Sequence, residues 1–150
     1  MSQLPRPVRQ GQFIREFMVV HQLLATRLNR ALGASSLTLT HVSFLSHLAN
    51  SGGAASPSDI SRAMEVNQPA VSKTMKYLEA LGAVRVDSDD ADARRRLVQL
   101  TPSGQTLLDE AMRAMDPTAT SALSILDDAA LADLTATLSA LSHHLDADHR

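Results

Sequence analysis

Residues 67–82, NQPAVSKTMKYLEALG, narrow the possible folds most, because they read as a helix with legible ends and two unlike faces. Val71, Met75 and Leu78 recur at spacings of four and three, which puts them on one inward-pointing side. Gln68, Ser72 and Lys76 form the i, i+4, i+8 row opposite, with Lys73 beside it. Asn67 is a good N-cap, Pro69 falls in the first turn where a missing N–H costs nothing, and Gly82 suits a left-handed C′ position. In isolation such a segment is an ordinary amphipathic surface helix, so its meaning depends on its flanks.

Upstream, Ser56-Pro57-Ser58-Asp59 supplies a capping residue, a proline at the first helical position and an acid at the third, which predicts a short helix over 57–64. Two short helices so closely joined, the second with a polar outer row, make a helix-turn-helix. Downstream the period turns from helical to alternating, in Val84-Arg85-Val86-Asp87 and again in Arg96-Leu97-Val98-Gln99-Leu100, with turn formers between. That predicts a hairpin with an exposed tip, and a helix-turn-helix followed directly by a hairpin is a winged helix. Arg94, Arg95 and Arg96 fall at the wing, where a guanidinium can reach a phosphate or enter a minor groove. Beside four aspartates they read equally well as a solvated charged loop.

Around this lobe the chain is helical. Phe13, Phe17, Val20, Leu24, Leu28 and Ala31 keep helical spacing over 12–32, with Gly33 as the stop, and a second line of Ile14, Met18 and His21 widens the stripe. A helix over 40–50, capped by Thr40, turns Phe44, Leu45 and Leu48 inward before Ser51-Gly52-Gly53 breaks the chain. Thr101-Pro102 opens another, with Leu107, Leu108, Ala111, Met112 and Met115 as its apolar side, which Pro117 is expected to kink or restart. The last helix begins at Asp127, where Leu131, Leu134, Leu138, Leu141 and Leu145 form a two-heptad seam too short for an independent coiled coil. That seam is read as part of an interface between two copies, because a helix-turn-helix commonly reads DNA as a two-fold dimer; an internal bundle face is the alternative. The expected chain is mainly α and one unit, 1–150: a winged helix-turn-helix lobe over 34–100 with a two-stranded β wing, and a helical dimerisation region over 10–33 and 102–147.

With 44% hydrophobic and 20% charged residues the chain is globular in composition. Its net charge of −2 by itself argues against a nucleic-acid partner, but the distribution is permissive. Residues 1–33 carry Arg6, Arg9, Arg15, Arg27 and Arg30 against Glu16, or +4; residues 101–150 sum to −6. Residues 57–100 sum to zero, their acids bunched at Asp87, Asp89, Asp90 and Asp92. No apolar run approaches the roughly 18 residues of a membrane helix, and the first residues lack the apolar core of a signal peptide. A cytoplasmic location is expected. The absence of cysteine excludes disulfides, thiolate metal sites and thiol redox chemistry. No nucleotide-binding glycine loop, H-E-x-x-H or G-x-S-x-G occurs, so neither an enzyme nor a cofactor is expected. His21, His41, His47, His143, His144 and His149 are scattered, which leaves a metal-responsive regulator as a lesser alternative.

The ordered set of SPSDISRAMEVNQPAVSKTMKYLEALGAVRV, DADARRRLVQLTPSGQTLL and a helical tail resembles the MarR family of bacterial winged-helix transcription regulators over nearly the whole chain. LTLTHVSFLSHL is similar to the family's second helix and AVSKTMKYLEALGAV to its recognition helix. Asp92-Ala93-Arg94 followed by LVQLT is similar to its D-x-R wing, in which the Asp supports an Arg that enters the minor groove; Leu100-Thr101 and Gly104 match the start of its fifth helix. The chain departs at Ala70, usually threonine, at Thr74, usually aliphatic, and at Lys73, usually arginine, where the charge is kept but not the bidentate fork suited to guanine.

The resemblance implies a homodimer that binds a pseudo-palindromic operator in double-stranded DNA as a ligand-responsive repressor. Gln68, Pro69, Ser72, Lys73 and Lys76 would meet the major groove, with Gln68 suited to adenine, and Arg94, held by Asp92 and beside Arg95, the flanking minor groove. A small anionic or aromatic effector between the lobe and the dimer helices is implied. Arg15, His21 and His41 are the candidates to face it, with plain surface or core roles as the alternative. The neutral 57–100 segment also leaves open a winged helix used as a protein-interaction module.

Overall fold

Among the residues described, a proline in the first turn opens four of the six α-helices, because that turn has no use for the missing N–H and the ring presets φ. The structure, a computed structural model, describes residues 4–89 and 92–147, and of residues 89, 92–95 and 146 the backbone alone. The elements are α1 (Arg6–Ala31), a 3₁₀ turn (Leu32–Ala34), α2 (Leu39–Asn50), β1 (Ala54–Ala55), α3 (Pro57–Ala63), α4 (Gln68–Ala80), β2 (Val84–Asp89), β3 (Asp92–Leu100), α5 (Pro102–Leu123) and α6 (Asp128–Ala147).

The winged helix-turn-helix is present, with β2 and β3 pairing antiparallel as Val84↔Leu100 and Val86↔Val98. A third strand joins them, giving the order β1-β3-β2 with Ala55 opposite Val98. Two alanines carry no alternation, so β1 had no sequence signal. It forms because Gly52 and Gly53, at φ 77° and 90°, turn the chain after α2 and lay it against β3, where the Gly53 carbonyl accepts the Leu100 N–H at 2.8 Å.

Three helical boundaries differ from expectation. α1 starts at Arg6 rather than near Gln12, because its first turn is set by Pro5 and Pro7 and not by the apolar stripe. α2 is capped by Thr38 rather than Thr40, since Asn29 Oδ1 accepts the Leu39 N–H at 2.9 Å and His41 Nδ1 accepts the Thr38 N–H at 3.1 Å. α5 runs unbroken through Pro117: the ring removes one donor at a position open to water, and the helix continues to Leu123.

The core belongs to the lobe and α5 as far as Met115. Phe44, Leu45, Leu48, Ile60, Val71, Leu78, Val98 and Leu108 lie within one cluster that Leu32, Ala111 and Met115 complete. The α1 stripe divides: Leu28 packs against this cluster, whereas Phe13, Phe17 and Val20 keep 47%, 46% and 58% of their surface in the single chain. In α6, Leu134, Leu138, Leu141 and Leu145 are likewise exposed.

One close approach fastens the lobe to α5. α4 ends in a Schellman arrangement, with Gly82 at φ 71°, the Gly82 N–H on Glu79 and the Ala83 N–H on Leu78. The next carbonyls then turn toward α5: Thr101 Oγ1 donates to the Gly82 carbonyl at 2.6 Å, and the Thr101 N–H donates to that of Ala83 at 3.1 Å. Thr101 also caps α5 by accepting the Gly104 N–H at 2.9 Å. A Cβ at Gly104 would lie 1.9 Å from the Ala83 oxygen and 2.8 Å from its carbon. Both atoms are backbone, so the clash cannot be relieved by a rotamer change. Gly104→Ala is therefore expected to lower the unfolding free energy by about 3 kcal/mol, through forced separation of α5 from the wing. Urea unfolding with two probes checks it; a loss below about 1 kcal/mol would mean that α5 shifts freely.

Candidate nucleic-acid interface

Asn67 starts α4 by accepting the Ala70 N–H on Oδ1 at 2.9 Å, and Pro69 occupies the first turn. Val71, Met75 and Leu78 are buried to within 2% of their surface, which seats the helix on the lobe. The opposite side then faces outward by geometry alone: Gln68, Pro69, Lys73 and Lys76 are exposed and Ser72 is half-buried. Ala70 is exposed and Thr74 half-buried in the same helix.

The turn before α4 is held tightly. Ser61 Oγ donates to the Val66 carbonyl at 2.6 Å while the Val66 N–H returns to the Ser61 carbonyl at 3.1 Å. Glu65 between them takes φ 50°, a left-handed conformation that L side chains adopt at some cost. α3 is capped by Ser56, whose hydroxyl also donates to Asp59 at 2.6 Å. That bond holds the Asp59 carboxyl below the usual range, with Arg62 at 3.2 Å adding to it.

Within a segment of zero net charge, the placement of the charges decides what each surface carries. Asp59 is taken by Arg62, and Arg85 by Asp87 at 2.6 Å and Gln99 at 2.8 Å. Among the described residues Lys73 and Lys76 form no ion pair, so their charge is available to a phosphate. On the wing, Arg96 is exposed opposite Ser88. The backbone of Asp92, Arg94 and Arg95 runs in β3, while their side chains and the tip at 90–91 lie outside the described residues.

Arg15, His21 and His41 are not brought together. Arg15 and His21 are exposed on α1, where His21 stacks on Phe17 at 6.4 Å between ring centres. His41 is half-buried at the start of α2 and stacks on Tyr77 of α4 at 4.5 Å. The junction between the lobe and the outer helices instead holds a cleft of about 430 Å³ lined by Phe17, Ala63, Met64, Leu138, Leu141 and Leu145, among others. The leucine spacing marks three of the lining residues; nothing in the sequence joins them to Ala63 and Met64. Among the described residues no three His, Asp or Glu side chains gather as a metal site would require.

Residues 35–95 match a family model described as the MarR family. Across the fold, the chain is similar to the transcriptional regulator BldR from Sulfolobus solfataricus at 25% identity and a TM-score of 0.77, over 91% of this chain and 99% of that one. It is similar to BpsR from Bordetella bronchiseptica, whose DNA binding is regulated by 6-hydroxynicotinic acid, at 25% identity and a TM-score of 0.74, over 94% and 98%. A mutant of MarR from E. coli, complexed with operator DNA, shares the fold at 20% identity and a TM-score of 0.74, over 93% and 99%. No curated protein matches the sequence.

The His41 contact has a pH consequence. Burial lowers its pKa from the ordinary 6.5, and an Nδ1 that accepts the Thr38 N–H must be unprotonated. Above 6.5 both folded and unfolded chains carry a neutral ring and stability is complete. As pH falls through 6.5 the unfolded chain takes up the proton first, so stability declines until the folded ring also titrates. Thermal melts from pH 7.5 to 5 are expected to show this decline, and His41→Gln, which keeps a capping-box acceptor, to flatten it. Identical slopes in both proteins would assign the decline to other groups.

Proposed function

We propose that this chain, a member of the MarR family by its match over residues 35–95 and its fold-wide likeness to BldR, is a transcription regulator that binds double-stranded DNA through α4 and the wing. The observation that carries the reading is α4 itself, buried along Val71, Met75 and Leu78 and free along Gln68, Lys73 and Lys76. In the major groove Gln68 suits adenine, Pro69 and Ser72 the groove wall, and the two lysines phosphate or guanine. Arg94, supported by Asp92 and flanked by Arg95, reaches the adjacent minor groove.

The protein acts as a homodimer. The apolar stripes left open on α1 and α6 need a covering surface, and the +4 of residues 1–33 complements the −6 of residues 101–150 in a second copy. Two recognition helices then stand about one DNA turn, or roughly 34 Å, apart, which calls for a pseudo-palindromic operator. Among the described residues no helix is long and apolar enough to cross a membrane, and a regulator of this kind works in the cytoplasm. A small anionic or aromatic effector bound between the lobe and the dimer helices releases the DNA, acting only through its difference in affinity between the two lobe spacings.

The test is titration of the purified protein against a footprinted duplex from its own upstream region over a range of salt. A protected pseudo-palindrome and a steep salt slope are expected. Arg94→Ala is expected to weaken binding to many sequences and reduce the slope by about 1, whereas Gln68→Ala costs about 1–3 kcal/mol at one base position. The opposite pattern would reverse the two roles. If Lys73, Lys76 and Arg94 can all become alanine without loss of binding, the DNA-contact assignment is wrong.

A further inference from the structure

The buried side of α4 fixes how deeply the helix sits in the lobe, but a single apolar ridge leaves its pitch to contacts at the rim. Tyr77 is at that rim, one helical turn beyond Lys73 on the same face. It keeps 41% of its surface, so core packing does not account for it. Its hydroxyl donates to the Ser36 carbonyl at 2.6 Å, across 41 residues of sequence. Its ring lies nearly parallel to that of His41, at 4.5 Å and 15°.

The segment that receives Tyr77 is the connection from α1 to α2. Ser35 Oγ accepts the Leu37 N–H at 3.1 Å, His41 Nδ1 accepts the Thr38 N–H, and Asn29 Oδ1, from the last turns of α1, accepts the Leu39 N–H at 2.9 Å. These bonds run in series from α1 through the start of α2 to α4. α1 packs against α5 and α2, and reaches the recognition helix through this segment.

We propose that Asn29, His41 and Tyr77 form one joint that sets the pitch of α4 against α1, and that Tyr77 is a positioning residue for base recognition. The inference rests on the DNA-binding reading above and adds the route by which a change at the α1 end alters what α4 reads. Base-edge hydrogen bonds depend steeply on orientation, whereas phosphate contacts by long lysines tolerate a tilt. Loosening the joint therefore lowers specific binding and spares non-specific binding.

The experiment compares Tyr77→Phe, which keeps the ring stack and removes the donor, with Asn29→Ala and the double variant. Operator and random-duplex affinities are measured at one salt concentration, alongside amide exchange of residues 35–41 and 68–80 in the free protein. Each single variant is expected to weaken operator binding about three- to tenfold, the loss of one hydrogen bond, and to leave random-duplex binding within about twofold. The double variant is expected to lose less than the product of the two, because both open the same joint. Asn29→Ala is further expected to speed exchange in 68–80, beyond the Leu39 N–H that Asn29 itself holds, and Asn29→Asp, which retains an acceptor, to restore it. An unchanged operator-to-random ratio, independent multiplication of the two losses, or normal exchange in 68–80 overturns the proposal. If the wild-type protein bound no operator, the DNA reading would fail, and the exchange data would still decide for or against the joint.

Discussion

The contact on which the rest of the lobe depends is the approach of Gly104 to the Ala83 carbonyl, a distance with no room for a methyl group. The Gly82 turn that ends α4 delivers this carbonyl, β2 begins at the next residue, and Thr101 ties both to the start of α5. Recognition helix, wing and the helix leading out of the lobe thus share one corner. Because the atoms in contact are backbone, the three elements hold a common orientation instead of sliding on flexible side chains. The DNA-reading surface proposed above, built from α4 and the wing, needs such a corner, since DNA presents its major and flanking minor grooves at a fixed separation.

The ends of the elements were legible because capping chemistry is local. Asn67, Ser56, Thr101 and Asp127 each accept a main-chain N–H from three residues on, and Gly82 takes the left-handed turn that its position suggested. The two faces of α4 followed from spacing for the same reason. What escaped the sequence is non-local. β1 exists only because β3 offers it an edge, the cap of α2 is chosen partly by Asn29 ten residues earlier, and the pairing of His41 with Tyr77 joins positions with no periodic relation. His41 was a candidate for an effector and is a ring stacked on the recognition helix, with its Nδ1 engaged at a helix start.

Net charge proved a poor guide for a physical reason. The zero sum over 57–100 takes no account of position: Asp59 with Arg62 and Asp87 with Arg85 cancel within their own pairs, while Lys73 and Lys76 stand on the exposed side of α4. Paired charges contribute little field beyond their own spacing, while unpaired ones on a convex helix face dominate the potential that an approaching polyanion meets. The relevant quantity for a partner is the unpaired charge per face, and it needs the structure.

The length of α1 gives the joint at its end a mechanical meaning. Twenty-six residues make a rod of about 39 Å at 1.5 Å per residue. A rotation of about 5° at the joint sweeps the far end of such a rod, at Arg6, through roughly 3 Å. Conversely, a displacement of that size at Arg6 becomes at the joint an angle small enough to be set by two or three hydrogen bonds. The helix is thus a lever that turns a displacement at its first turn into a small angle at the joint beside α4.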